Sequence, residues 1–319
     1  MNYQNNDSIN EQAWQLIEKL ASASLEEQKK ARRWSLLFKL LTFVYITVVL
    51  IGLWPALSGF NGVEAGDDHL AVVTIKGMIA DDQPASANAI VSGLREAFEA
   101  EHSKAVVLSI NSPGGSPVQS AYVYKEIKRL RGLHPDKPIY AVIADLGASG
   151  AYYIAAATDD IYASPASLVG SIGVISAGFG FTELIGKIGV ERRTFTSGDN
   201  KAFLDPFSPL KKEEQDFWNK VLTITHQQFI AAVKEGRGDR LKDNDALFSG
   251  LIWSGEQALD LGLIDGYASA GELARKILNN DNIVDYTTRQ DPVTRLLRKI
   301  SSQVSATLVE LSLSQRLAY

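Results

Sequence analysis

The sequence predicts an α/β protein built on a mainly parallel sheet and preceded by one transmembrane helix. Three observations carry that expectation. Residues 104–110 (KAVVLSI) and 138–144 (PIYAVIA) are short apolar runs, the composition of strands buried on both faces of a parallel sheet. Amphipathic stretches alternate with them: within 86–100, Ile90, Leu94 and Phe98 recur four apart. The run at 36–57, LLFKLLTFVYITVVLIGLWPAL, has 22 residues and one charge, whereas about 20 apolar residues span a bilayer's hydrocarbon.

Residues 1–35 are mostly polar and end in a basic cluster, Lys29, Lys30, Arg32 and Arg33. In the run at 36–57, Lys39 lies near one end, where its stem can reach back to the headgroups, and Trp34 and Trp54 sit where interfacial anchors do. A core helix would show a polar stripe, and a signal peptide has a shorter n-region, so a retained anchor is the expectation. The basic cluster keeps the N-terminus in the cytoplasm and places the chain after Leu57 outside.

Residues 58–68 read as a polar linker. A strand is predicted over 69–79, then a helix over 86–100, a strand over 104–110, a helix around 117–131, a strand over 138–144 and a helix over 150–158. A long helix is predicted over 208–236, with Ser208 as N-cap, Pro209 in the first helical position and Gly236 as its stop. A further helical pattern begins at Asp291-Pro292, and its stripe from Val293 to Leu311 asks for a partner surface. The main domain is therefore expected over 69–275 and a helical tail over 276–319.

Composition removes several function classes. There is no cysteine, which excludes disulfides, thiol nucleophiles and thiolate metal sites. The four histidines, His69, His102, His134 and His226, are scattered and form no metal-binding pair. A net charge of −5 gives no basic surface for nucleic acid, and no phosphate-cradling motif is present, so neither a nucleic-acid partner nor a cofactor is expected.

Two glycine-bearing junctions follow the buried strands: NSPGGSP at 111–117 and DLGASGAYY at 145–153. Functional groups gather at the carboxyl ends of parallel strands. Gly114-Gly115 lets backbone approach a ligand with free amides, although an ordinary strand-to-helix turn uses glycine for the same reason. Ser149 is either the N-cap of the next helix or a nucleophile. Ala151 breaks the G-x-S-x-G elbow. With so few histidines, a lysine is the recognised alternative base.

Five blocks in order, NSPGGS, ASGAYYIAAATDDIYA, ASLVGSIGV, TSGDNKAFLDPFSP and WSGEQALDLGLIDG, resemble the signal peptide peptidase A family of serine proteases, peptidase family S49, in its short single-domain form. The resemblance runs from about residue 69 to 270. It implies the Clp-protease/crotonase-like fold of stacked ββα units and a Ser–Lys dyad. Ser149 then corresponds to the nucleophile, Lys201 to the general base, Ser171 to the serine that orients the lysine amine, and Gly114 to an oxyanion-hole amide. Gly150 is a second donor by analogy with the fold. Ala151 stands where members often have a second glycine, adding a methyl that would trim the cleft. To serve as base near neutrality, Lys201 must be desolvated by neighbours such as Ala202, Phe203 and Phe207, since a free lysine has a pKa of about 10.4.

The implied protein is a single-pass endopeptidase of the bacterial inner membrane, with its catalytic domain on the periplasmic or outer side. It would cleave residual signal peptides and other apolar peptides at the membrane and work as a homo-oligomer, with active sites completed between subunits. A SohB-type or stomatin-associated protease with other substrates, a crotonase-fold acyl-CoA enzyme and an inactive scaffold are the alternatives. An alkaline phosphatase fusion after residue 68 should be active, because the basic cluster retains the N-terminus inside; an inactive fusion with an active cytoplasmic reporter at the same point would reverse the topology.

Overall fold

The computed structural model describes residue 30, residues 32–50 and residues 67–288, and these fall into two units. The first is a helix, α1 (Arg32–Leu50), 19 residues with mean hydropathy 1.6 and none of its length buried. Length and composition allow it to cross a membrane. Its two threonines donate back to helix carbonyls, Thr42 to Phe38 and Thr47 to Phe43 at 2.8 Å each, so neither threonine hydroxyl is left unbonded on an apolar surface. The rest of the predicted span, and the tail stripe from Val293 to Leu311, lie outside the described residues.

In the second unit β1 (His69–Lys76), α2 (Ala87–Glu99), β2 (Ser103–Ser112), α3 (Pro117–Leu133), β3 (Ile139–Ala148) and α4 (Gly150–Ala155) alternate as predicted. There follow β4 (Asp160–Ala163), β5 (Leu168–Gly170), α5 (Thr182–Lys187), α6 (Lys212–Arg237), β6 (Ile252–Ser254), α7 (Gly255–Asp260), β7 (Gly266–Tyr267), α8 (Ala270–Leu278) and β8 (Ile283–Asp285). One sheet runs β6-β5-β3-β2-β1-β8, with β4 beside β3 and β7 beside β4. Every pairing is parallel except β5 with β6. The sheet thus continues past residue 275, since β8 closes its edge against β1.

The apolar runs lack alternation because both faces are covered. Val73, Ile75, Leu108, Ile110, Ala141 and Ile143 share a core with α2, α3, α4 and α6. Leu70, Val72, Val107 and Val142 point the other way, against Leu273 and Ala274 of α8. Burying each such aliphatic side chain contributes about 1.5–3 kcal/mol.

Three expectations about boundaries give way. The strand predicted over 69–79 stops at Lys76. Ile79 leaves it and bonds the Gly114-Gly115 turn instead: its amide donates to the Gly114 carbonyl at 2.9 Å, and its carbonyl accepts from Ser116 at 2.8 Å. The long helix begins at Lys212, not Ser208, because the Ser208 hydroxyl donates to Asp205 Oδ2 at 3.1 Å within its own turn. Nor is Gly236 the stop. It lies inside α6, where a Cβ would fall 1.8 Å from the Ala156 carbonyl oxygen, so it is a close-packing residue; Gly238, at φ 55, ends the helix.

The end of α6 is fixed by Arg237, which is 1% exposed. Its Nη1 and Nη2 donate to Asp265 at 2.6 and 2.9 Å, and its Nε donates to the Gly262 carbonyl at 2.9 Å. Asp265 also accepts from the Ile161 amide at 2.7 Å. Burial raises the Asp265 carboxyl, but the Arg237 hydrogen bonds, the Ile161 amide and the two arginine charges outweigh it and hold the group below its ordinary 3.8. A lowered folded value makes this contribution complete above the unfolded value and lost as pH falls through the folded one. Asp265→Asn should cost about 3–5 kcal/mol by stranding a buried guanidinium. The loss is read as a lower unfolding midpoint at pH 7, with the gap from wild type closing below about pH 4. An unchanged midpoint would contradict this role.

Candidate active site

β2 and β3 end side by side, with Ser112 paired to Gly147, and β5 joins the last residues of β3, Ala148 opposite Gly170. Ser149 and Ser171 are therefore neighbours just past two paired strand ends. The Ser149 amide donates to the Gly170 carbonyl at 2.8 Å, and the Ser171 amide donates to Leu251 at 2.8 Å. Both serines have positive φ, 54 and 51. Such backbone costs about 1–3 kcal/mol and persists only where the surroundings impose it.

The N-cap role open to Ser149 is not the one it takes. It precedes α4 at φ 54 and ψ −125, and its side chain makes no capping hydrogen bond. Its hydroxyl is left for other work.

The turn at 113–116 lies directly against it. Gly114 has φ 90, and a Cβ there would fall 2.5 Å from the Gly150 amide nitrogen and 2.9 Å from Ser149 Cβ. No side chain fits between these two segments. Gly115, at φ 153, presses on Ile79 in the same way: a Cβ on it would fall 2.2 Å from the Ile79 carbonyl oxygen. The structure thus gathers Ser149, Gly150, Gly114 and Ser171 at one end of the sheet. It also separates the two glycine amides. Gly114 donates to Ser112 Oγ at 3.1 Å, while Gly115 N–H has no acceptor among the described residues.

Ser149, Gly150 and Gly115 share the wall of a cavity of about 320 Å³. Val118 and Tyr122 of α3, Tyr153 of α4 and Phe229 of α6 supply apolar surface, with Val174 and Ile175 along one side. Tyr153 stacks on Phe229 at 4.9 Å and meets the Tyr124 edge at 5.3 Å, which fixes the wall. Beneath it the Tyr152 hydroxyl donates to the Leu263 carbonyl at 2.7 Å. Ala151 does not line the cavity: fully buried, its methyl packs into the core and leaves the cleft untrimmed.

Lys201 is elsewhere. It is exposed, in a turn where its amide donates to Gly198 at 3.2 Å, and its side chain has no partner among the described residues. It does not line the cavity at Ser149. Among the described residues no group of His, Asp and Glu could hold a metal ion.

Sequence reasoning read Gly114-Gly115 as a turn approaching a ligand but assigned the donor role to Gly114 rather than Gly115, and it missed Tyr122, Tyr153 and Phe229, whose apolar spacing on helices gave no sign of a cavity. It also missed Trp253, whose ring would stand 2.9 Å from a Cβ on Gly170, the residue before Ser171.

The model of peptidase family S49 matches residues 132–283. A Brucella melitensis protein named Na(+)/H(+) antiporter NhaA is 46% identical over 222 residues, 68% of this chain and 30% of its own. The chain thus spans about 30% of that relative's length. A Methanocaldococcus jannaschii protein named as a putative protease is 30% identical over 266 residues, covering 77% of this chain and 85% of its own. An Enterococcus faecium protein named putative signal peptide peptidase SppA is 29% identical over 231 residues, 70% of this chain and 67% of its own. The chain belongs to peptidase family S49.

If Ser149 is a nucleophile, Gly114→Ala should slow its labelling by a fluorophosphonate at least about 10²-fold, because a Cβ there displaces the amides beside Ser149. Labelling at the wild-type rate would show that this approach of backbone to backbone is dispensable.

Proposed function

We propose that this chain is a membrane-anchored serine endopeptidase using a Ser–Lys dyad, with the Clp-protease/crotonase arrangement of stacked ββα units. One observation carries the reading: Ser149 is held at φ 54 with a hydroxyl that caps no helix, beside an apolar cavity and backbone amides. A solvated structural serine has no need of that backbone.

In the proposed reaction a peptide lies with an apolar side chain in the cavity. Ser149 Oγ attacks the scissile carbonyl carbon as Lys201 Nζ, neutral, takes its proton. The carbonyl oxygen, now negative, accepts hydrogen bonds from backbone amides. Gly150 is one donor, Gly114 the other that the family resemblance assigns, and Gly115 is better placed than Gly114 because its amide is uncommitted. The tetrahedral species collapses, the lysine returns its proton to the leaving amine, and an ester joins Ser149 to the acyl half. A water, deprotonated by the same lysine, then releases that half and restores the hydroxyl. Ser171 orients the lysine amine.

In this proposal Lys201 reaches Ser149 from a neighbouring copy in a homo-oligomer. The exposure of Lys201 supports it, as do the uncovered apolar side chains on the same segment, among them Ile175 at 87%, Phe179 at 82% and Phe195 at 92% exposed. Burial in an assembly would also remove water from the amine, as a lysine base requires. The length and composition of the helix Arg32–Leu50 support a single-pass anchor, which this reading places in the inner membrane, and the basic cluster before it, Lys29 to Arg33, supports a catalytic unit outside. An apolar cavity facing peptides near a bilayer fits residual signal peptides as substrates.

Ser149→Ala should abolish peptide hydrolysis with oligomeric state unchanged, and turnover should rise with pH as the base loses its proton. Lys201→Arg, which keeps its proton at any working pH, should retain less than about a tenth of wild-type turnover; more would mean that Lys201 is not the base. Co-assembled Ser149→Ala and Lys201→Ala chains should recover activity that neither has alone. Failure of the mixture to recover would place the dyad within one chain.

A further inference from the structure

The cavity beside Ser149 carries one charged side chain, and that charge is uncompensated. Lys125 lines it on α3, in a single helical stripe with Pro117, Val118, Ala121 and Tyr122. At 1.5 Å per residue, the stripe runs about 12 Å from the Gly115 turn to Lys125. Across from it, α6 contributes Thr225 and Gln228, one turn apart. The chemistry is therefore graded along the cavity. The Ser149 hydroxyl and free amides lie at one end and aromatic and aliphatic walls between. The Lys125 ammonium stands about two turns further along α3.

Among the described residues no carboxylate lines this space. Among the described residues Lys125 has neither an ion pair nor a hydrogen bond, whereas Lys128, less than a turn further on, is held by Glu235 at 3.0 Å. The difference matters because a lysine paired at the surface is electrically spent. An unpaired one beside apolar walls projects its charge into the space a substrate side chain enters.

We propose that Lys125 is a specificity-determining residue: the cavity accepts a side chain with an apolar stem and an anionic tip, and rejects a cationic tip, on the acyl side of the cleaved bond. The proposal rests on Ser149 being the nucleophile and on the cavity beside it taking the residue that precedes the cleaved bond. A glutamate would lay its methylenes on Tyr122 and Phe229 and bring its carboxylate to the ammonium. A lysine of similar length would bring like charges together, an exclusion by repulsion that salt weakens.

The test uses the detergent-solubilised full chain and three peptides that differ only in the residue preceding the cleaved bond: Leu, Glu or Lys. Wild type should show a kcat/KM ratio of Glu over Lys peptide of at least about tenfold, shrinking as salt is raised. Lys125→Met, which keeps the apolar stem, should lose that ratio and its salt dependence, and Lys125→Glu should invert it. Oligomeric state is checked for both, and the two variants together keep a misfolded one from deciding the matter. A ratio in Lys125→Glu within about twofold of wild type would overturn the role of Lys125. Cleavage of the Leu peptide by wild type but not by Ser149→Ala shows that the underlying reading stands while the ratio is judged. Equal cleavage by Ser149→Ala would sink that reading itself and this inference with it.

Discussion

Backbone passes backbone at the carboxyl ends of β2 and β3, and everything around the candidate site follows from how close that approach is. A Cβ on Gly114 would fall 2.5 Å from the Gly150 nitrogen, so the turn and the start of α4 are in contact with nothing between them. Contact of this kind leaves polar backbone groups facing one another at a strand end, where the sheet ladder can no longer satisfy them. The amides are then either committed, as Gly114 is to Ser112, or left available, as Gly115 is. In the proposed mechanism, the site for the anionic oxygen is the by-product of this packing constraint.

The fold holds this junction from several sides. Ile79 departs from β1 to bond the turn in both directions. β3 pairs with β4 along its first half and with β5 along its last residues, so Ser149 leaves a strand held at both levels. α4 is buried almost throughout, and Tyr152 ties it to Leu263. The Arg237–Asp265 pair fixes the end of α6, the helix whose Phe229 backs the Tyr153 wall. These contacts impose the positive φ of Ser149, which no local preference of serine would produce.

Residues 174–211 contrast with that frame. They are mostly exposed, carry one short helix, α5, and include Lys201. A lysine on such a surface is well solvated, and the apolar side chains around it lie open to water. The rigid unit therefore supplies a serine, amides and a cavity, while the candidate base sits on the part of the chain that packs least against it. Completing the site from a second copy answers both features at once within the proposed mechanism.

Much was legible in the sequence, and for plain reasons. Two-sided burial shows as continuous apolar runs, so β2, β3 and their helices could be read from residues 104–110 and 138–144 directly. The starts of α2 and α3 were legible to within a residue, and in the structure Ser86 and Ser116 cap them, since a capping hydroxyl acts within three residues of itself. Ser208 misled by the same logic: its hydroxyl found Asp205 first, and only the folded turn decides between two local acceptors. Gly236 resembled a stop because glycine has one appearance in sequence and two uses, freedom of φ and absence of a Cβ, and the second is defined by whatever lies opposite, here Ala156. Ser149 was singled out by its small neighbours, but whether it caps a helix or stands free depended on β5, well down the chain. The cavity, Lys125 at its far end and the commitment of the Gly114 amide were invisible, since each is a relation between segments that the chain brings together only on folding. Sequence by itself determined which segments fold and which residues bear chemistry; tertiary structure alone decided which of them face one another, because short-range preferences carry no record of what packs across a gap.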